Sequence, residues 1–294
     1  MVSGVNNIDN KISYSQISMY NGCPLRWKLN YIDKVSISES NIYLIFGTAM
    51  HEVLQKYLNV MYNYTVKRAD AIVYDRILMD NMVKQFKLAE KQDGKPPCTK
   101  YELQEFYNDG LEILDFFKKK RNSYFRKKDY ELIGCEFPIK ANLQKNIKFR
   151  GYIDVVIKHK PTNIITIVDI KTSTRGWNKW QKADKNKTQQ LLLYKQFYSK
   201  IYNHPIDKIK VEYFIVKRKL YENVDWPQKR VQLFTPASGT VSMNKVSKGV
   251  GKFIEEAFND DGSYTKNKLY STPSKKACKY CEFNQTIYCD DGIK

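Results

Sequence analysis

The sequence predicts an α/β fold: a central mixed β-sheet flanked by helices, with a helical insertion and a Cys-rich C-terminal module. Three observations predict it. Helix-period segments fill the first 126 residues, strand-like runs alternate with one long helix between 130 and 236, and a cysteine-rich polar tail closes the chain. A hydrophobic content of 42% over 294 residues is enough for one sizeable core. The chain therefore reads as one domain over 1–294, with a helical insertion over 51–130, a sheet core over 131–236 and a tail over 270–294.

Each element has its own signal. In "ISYSQISMYNGC", Ser13 and Gln16 have capping-box spacing, and Ile12 with Ile17 can staple the turn. A helix over about 14–30 follows, carrying Cys23 near its middle or at a break before Pro24. "FGTAMHEVLQKYLNVMY" reads as a Gly-containing turn and then a helix with His51 in its first turns. Residues 67–126 have helical periodicity in two segments, separated by "DGKPPCTK" at 93–100, where Thr99 and Glu102 form a second capping box. "YELIGCEFPIKANL" reads as a strand; "KFRGYIDVVIK" and "IITIVDIKTS", joined through "HKPTN", read as a hairpin. A helix over about 184–203, the strands "KIKVEYFIVKRKL" and "RVQLFTP", and a helix over about 242–259 complete the domain.

Charge and composition narrow the partner. Lys plus Arg exceed Asp plus Glu by 50 to 31, a net charge of +19 spread along the chain and accompanied by many Tyr and Phe. Such a surface suits phosphates and stacked bases, so nucleic acid is the expected partner rather than a membrane. No apolar run is long enough to span a bilayer, and "MVSGVNNIDNK" lacks a signal-peptide apolar region, so a cytoplasmic location is expected. Disulfides are rare there, and the clustered cysteines need another purpose.

The hairpin carries the chemistry. Asp169 and Lys171 alternate on one face of a strand, where a lone buried charge is costly. On the preceding arm, Phe149, Gly151, Ile153, Val155 and Ile157 form one expected core face, and Asp154 lies on the other with Arg150, Tyr152 and Lys158. Pairing across the loop brings Asp154 within a residue or so of Asp169. Two carboxylates repel unless a cation lies between them, and oxygen ligands favour Mg²⁺ or Mn²⁺. The bland alternative is a surface ion pair of little energetic consequence.

Ile153-Asp154 followed by Asp169-Ile170-Lys171 resembles the PD-(D/E)XK nuclease superfamily, with isoleucine in place of the motif's proline. "GTAMHEV" resembles the G-x-x-x-H motif of the RecB-like branch, and "QLLLY" resembles its Q-x-x-x-Y motif. The resemblance implies a restriction-endonuclease-like core and a DNA nuclease. Its implied metal ligands are His51, Asp154, Asp169 and the Ile170 carbonyl. Lys171 serves the attacking water, and Gln190 and Tyr194 lie one helical turn apart beside it. Glu52 and Glu136 are further acidic neighbours.

One cysteine before these motifs and three after them, Cys23 with Cys278, Cys281 and Cys289, resembles the iron–sulfur subgroup of that branch, which includes AddAB-type and CRISPR-adaptation nucleases. The implied cofactor is a 4Fe–4S cluster. Four thiolates also suit a structural Zn²⁺, and unligated thiols are a third reading. The gap of seven residues before Cys289 is longer than the subgroup's usual five. Cys98 and Cys135 read as unligated.

By this resemblance the expected activity is Mg²⁺- or Mn²⁺-dependent cleavage of DNA. An exonuclease working on single-stranded ends in replication, recombination or repair is the preferred form, with a helicase or recombination partner. The alternatives are a non-catalytic nucleic-acid-binding module on the same fold and a Cys-rich zinc protein. A Ser-His-Asp hydrolase lacks any local signature around His51, His159 and His204, and there is no G-x-x-x-x-G-K-[ST] loop for an ATP motor.

Overall fold

A computed structural model describes residues 11–35 and 39–293; the expected leaderless N-terminus lies in residues 1–10, outside the described ones. Six strands form one mixed sheet: β1 (Lys11–Ile12), β2 (Tyr130–Asn142), β3 (Lys148–His159), β4 (Ile164–Ser173), β5 (Ile209–Lys217) and β6 (Val231–Phe234). β2–β3, β3–β4 and β5–β6 are antiparallel, whereas β1–β3 and β4–β5 are parallel. The parallel β4–β5 pair needs a crossover, supplied by α7 (Lys179–Ala183) and α8 (Lys185–Ile201).

The sheet has a core on each face. On one face α1 (Tyr14–Gly22), α2 (Pro24–Tyr31), α8 and α9 (Thr240–Ala257) pack around Trp27, Phe149, Leu191 and Phe253. Burial of one such aromatic side chain contributes roughly 1.5–3 kcal/mol. On the other face lie α3 (Ile42–Asn63), α4 (Val66–Asp70), α5 (Tyr74–Asp93) and α6 (Lys100–Lys120), around Met50, Leu54, Leu78 and Phe117. The short α10 (Lys275–Cys278) belongs to the tail. Among the described residues no helix is long and apolar enough to cross a membrane.

Local chemistry accounts for most boundaries. Pro24 forbids continuous helix and leaves Cys23 extended at φ −162°, so of the two arrangements expected for this cysteine the structure has the break, which divides the segment into α1 and α2. The Thr99–Glu102 capping box forms as expected. The Ser13–Gln16 box does not. Gln16 instead donates to the Lys11 carbonyl and accepts the Trp27 indole N–H, because its side chain is buried with Trp27 and both need partners.

Two further expectations are corrected. "FGTAM" is no turn: α3 starts at Ile42, capped by the Asn41 side chain, and Gly47 lies inside it. Glycine costs a helix about 1 kcal/mol, and the reason for it is proximity. A Cβ at Gly47 would stand 3.3 Å from Thr172 Oγ1, where the helix crosses β4. The expected insertion boundary at 51 thus falls within one continuous helix.

The single apolar face expected for β3 is also divided. Phe149 and Ile153 join the α8-side core, whereas Val155 and Ile157 join the α3-side core. In a regular strand these odd positions would face the same way. The switch occurs at Asp154.

Candidate active site

The ladder between β2 and β3 explains that switch. Cys135 pairs with Val155 and Phe137 with Ile153, but Glu136 stands between them at φ +47°. This left-handed conformation costs a non-glycine residue on the order of 1 kcal/mol and needs outside support. Gln55 supplies it from α3: its Nε2 donates to Glu136 Oε1 at 2.7 Å and to the Asp154 carbonyl at 3.2 Å. Gln55 carries no motif of its own. Its spacing of four from His51 is the signal that puts both on one helix face.

β3 also changes partners here. Its edge opposite β2 is occupied by β1 at Lys148 and Phe149, then by β4 from Val155 onward. The β3–β4 register ends with Val155 opposite Val168, and β4 continues alone along β5. Extending the register by one step would set Asp154 opposite Asp169. At this fork the Asp154 carboxylate replaces a backbone partner, accepting the Ile170 N–H on Oδ2 at 2.7 Å.

The fork gathers side chains from both helical layers. From α3, His51 Nδ1 comes within 3.4 Å of Asp154 Oδ2. Burial lowers the His51 imidazole to about 4, with Asp169 and the Ile170 carbonyl opposing that shift and Lys171 adding to it. His51 is therefore a neutral imidazole near pH 7, the form that can serve as a ligand. Burial, then Asp169, drives Asp154 well above the usual carboxylate range. Lys171 Nζ stands 2.7 Å from Asp169 Oδ2. Burial works against the Lys171 ammonium, but Asp169 and Asp154 outweigh it and raise its pKa.

From α8, Gln190 Nε2 donates to Tyr194 Oη at 3.2 Å, the expected one-turn pair. Tyr194 is buried, and its phenol is shifted upward by that burial while Asp169, Asp154 and Lys171 all act on it. It packs against Gly151: a Cβ there would stand 2.8 Å from Tyr194 Cε1. The glycine three residues before Asp154 thus makes room for the tyrosine. Of the two acidic neighbours, Glu136 is brought to the site through Gln55. Cys135 borders it too, its Sγ 3.7 Å from the Gln55 carbonyl and its pKa pushed up to about 12 by burial.

The donor set suits a hard divalent cation: two carboxylates, a backbone carbonyl and a neutral imidazole. Asp169 Oδ2 is buried and, although close to Lys171, makes no hydrogen bond of good geometry, so it has acceptor capacity to spare. Among the described residues no three His, Cys, Asp or Glu side chains are already arranged around one ion. Asp154 and Asp169 face the Ile170 N–H and the Lys171 ammonium instead.

A second grouping joins the chain ends. Burial raises the Cys281 and Cys289 thiols, with Cys23 adding to the shift at both and Cys278 at Cys289. Cys23, far from the three tail cysteines in the chain, thus acts on two of them, although among the described residues no three of these thiols are arranged around one metal. The tail is docked there by Arg26–Glu282 at 2.5 Å, Asn30 donating to Glu282 at 2.8 Å, and Thr272 donating to the Gly22 carbonyl at 3.0 Å.

The model of the PD-(D/E)XK nuclease superfamily matches residues 11–286, nearly the whole chain. The chain belongs to the PD-(D/E)XK nuclease superfamily. No curated protein matches its sequence. Among solved structures, this superfamily member is similar to a protein from Eubacterium rectale provisionally named an exonuclease, at 13% identity and a TM-score of 0.48, over 84% of this chain and 79% of that one.

Proposed function

We propose that this PD-(D/E)XK superfamily member is a DNA exonuclease that hydrolyses phosphodiester bonds at single-stranded ends, using Mg²⁺ or Mn²⁺. The observation that carries the reading is Asp154 and Asp169 at the fork of β3 and β4, with Lys171 against the second acid. Asp154, Asp169, the Ile170 carbonyl and His51 would hold the ion. When bound, it would polarise the phosphate and acidify the attacking water. The carboxylates must turn toward the ion from their present partners. Lys171 orients the water or balances the charge developing on the phosphate. Tyr194 and Gln190 flank that position and offer hydrogen bonds to the phosphate oxygens.

The site lies between α3, which brings His51 and Gln55, and α8, which brings Gln190 and Tyr194, and we take this enclosure to favour a strand over a duplex. A binding-only module has little use for such a fork. Burying Asp169 against a half-buried Lys171 costs solvation that an apolar pair would not, so the pair suggests retained chemistry. For the tail we infer that Cys23, Cys278, Cys281 and Cys289 hold a 4Fe–4S cluster, with structural Zn²⁺ as the alternative. Metal analysis and an absorbance scan of anaerobically purified protein separate the two. Replication, recombination or repair in the cytoplasm, with a helicase partner, is the setting the reading implies.

The deciding assay compares the native chain with Asp169→Ala on end-labelled single-stranded DNA with Mg²⁺ or Mn²⁺. Loss of cleavage with binding retained is expected; cleavage by the variant would overturn the assignment. Circular single strands should resist, and rapid cutting of circles would remove the exonuclease part alone.

A further inference from the structure

Beside the fork, a cleft of about 1020 Å³ opens between α1, the α7–α8 junction and the cysteine tail. Gln190, which bonds Tyr194 of the candidate active site, is one of its lining residues, so the cleft adjoins that site. Two large aromatic side chains stand in it almost bare: Trp180 on α7 is 73% exposed and Tyr280 in the tail 79%. Exposing two such rings forfeits burial that the fold has found for Trp27 and Trp177. Each ring has a lysine over it, Lys179 at 5.0 Å from Trp180 and Lys279 at 5.2 Å from Tyr280. Lys187 and Lys279 add positive charge to the walls, whereas Arg26 is paired with Glu282 at 2.5 Å. The acid in the cleft, Asp184, is paired with Lys276 at 2.7 Å, so these two charges cancel, and it caps α8 through the Asn186 N–H.

We propose that this cleft binds one unpaired DNA strand, with Trp180 and Tyr280 stacking on its bases and Lys187 and Lys279 meeting its phosphates. The proposal rests on the nuclease reading and adds where the strand lies. Duplex bases are already stacked on one another and leave no face for these rings, so the pair of bare aromatics selects single strands. Because Ser274, Lys276, Lys279 and Tyr280 line the cleft together with α1, the tail is part of the binding surface, joined to the active-site helix through Lys276 and Asp184.

The test is binding without turnover. Fluorescence anisotropy of a labelled oligo(dT) 20-mer is measured with EDTA present, for the native chain, Trp180→Ala, Tyr280→Ala and Lys279→Gln. All three positions are on the surface, and unchanged melting temperatures verify their folding. Each aromatic variant should weaken binding about 5- to 150-fold, the range of one lost base stack. Lys279→Gln should lower the slope of log K against log salt by about 0.7. A blunt duplex should bind more weakly than the single strand and lose little with either aromatic variant. Native-like binding of oligo(dT) by both aromatic variants, or equal losses on duplex, would overturn the proposal. Those results would leave the nuclease reading intact, since that reading is judged by cleavage in Asp169→Ala.

Discussion

Gly151→Ala is the sharpest test of how the site is packed. In a strand the substitution should by itself be neutral or slightly favourable, because alanine loses less backbone freedom on folding. Here its Cβ would meet Tyr194 Cε1 at 2.8 Å, Tyr194 Oη at 3.0 Å and Phe149 Cε1 at 3.1 Å. Ordinary carbon contacts begin near 3.5 Å, so the tyrosine ring must retreat by about 0.7 Å. It is 4% exposed and hemmed in by Phe149, with ring centroids 6.3 Å apart, so the retreat strains a packed core. Overpacking of this kind costs about 1–3 kcal/mol. With an unfolding entropy of about 0.6 kcal/mol/K for a chain of this length, Tm should fall by roughly 2–5 °C. The phenol moves with the ring, so cleavage should fall more than stability does. Thermal melts and a double-mutant cycle with Tyr194→Ala check this. On the Tyr194→Ala background the alanine should cost almost nothing, a coupling of about 1–3 kcal/mol. A neutral Gly151→Ala, or additive effects, would refute the packing argument.

Three other outcomes are expected. Lys171→Met strands the buried Asp169 carboxylate, costing on the order of 3 kcal/mol, and Asp169→Asn in the same chain should recover most of it in chemical denaturation. On the cluster proposed for the tail, Cys281→Ala should abolish its absorbance and lower Tm; a cross-link from Cys23 to the tail would contribute at most about 5 kcal/mol, and an unchanged melt would count against its role as a staple. Asp109→Ala removes the buried one of two acids on α6 that pair with Arg218 and Lys219, leaving Glu105 to both, so stability should drop by less than the roughly 3 kcal/mol of a fully broken buried pair while oligonucleotide affinity stays native. A changed affinity in that variant would show that α6 supports the binding surface.

Much of the fold was legible because its signals are local. The Thr99–Glu102 box, the break forced by Pro24 and the strand alternation from Tyr130 onward are each fixed by residues within a few positions of one another. The Gln190–Tyr194 pair was legible for the same reason, since helical spacing alone puts one above the other. Where the reading failed, a distant partner had intervened. Ser13 was denied its box because Trp27 claims Gln16, and Gly47 signals not a turn but the crossing of α3 over Thr172.

The sequence by itself determined the element order, the superfamily motifs and the residues proposed to carry the chemistry, because these depend on residue type and short spacing. Only the tertiary structure decided how they meet. The left-handed Glu136, held by Gln55, turns β3 over at Asp154, and β4 leaves β3 one position beyond Val168. The two acids consequently share an open fork rather than a closed ladder. Gln55, β2 and β4 lie far from one another in the chain, and a kink that depends on all three has no local signature.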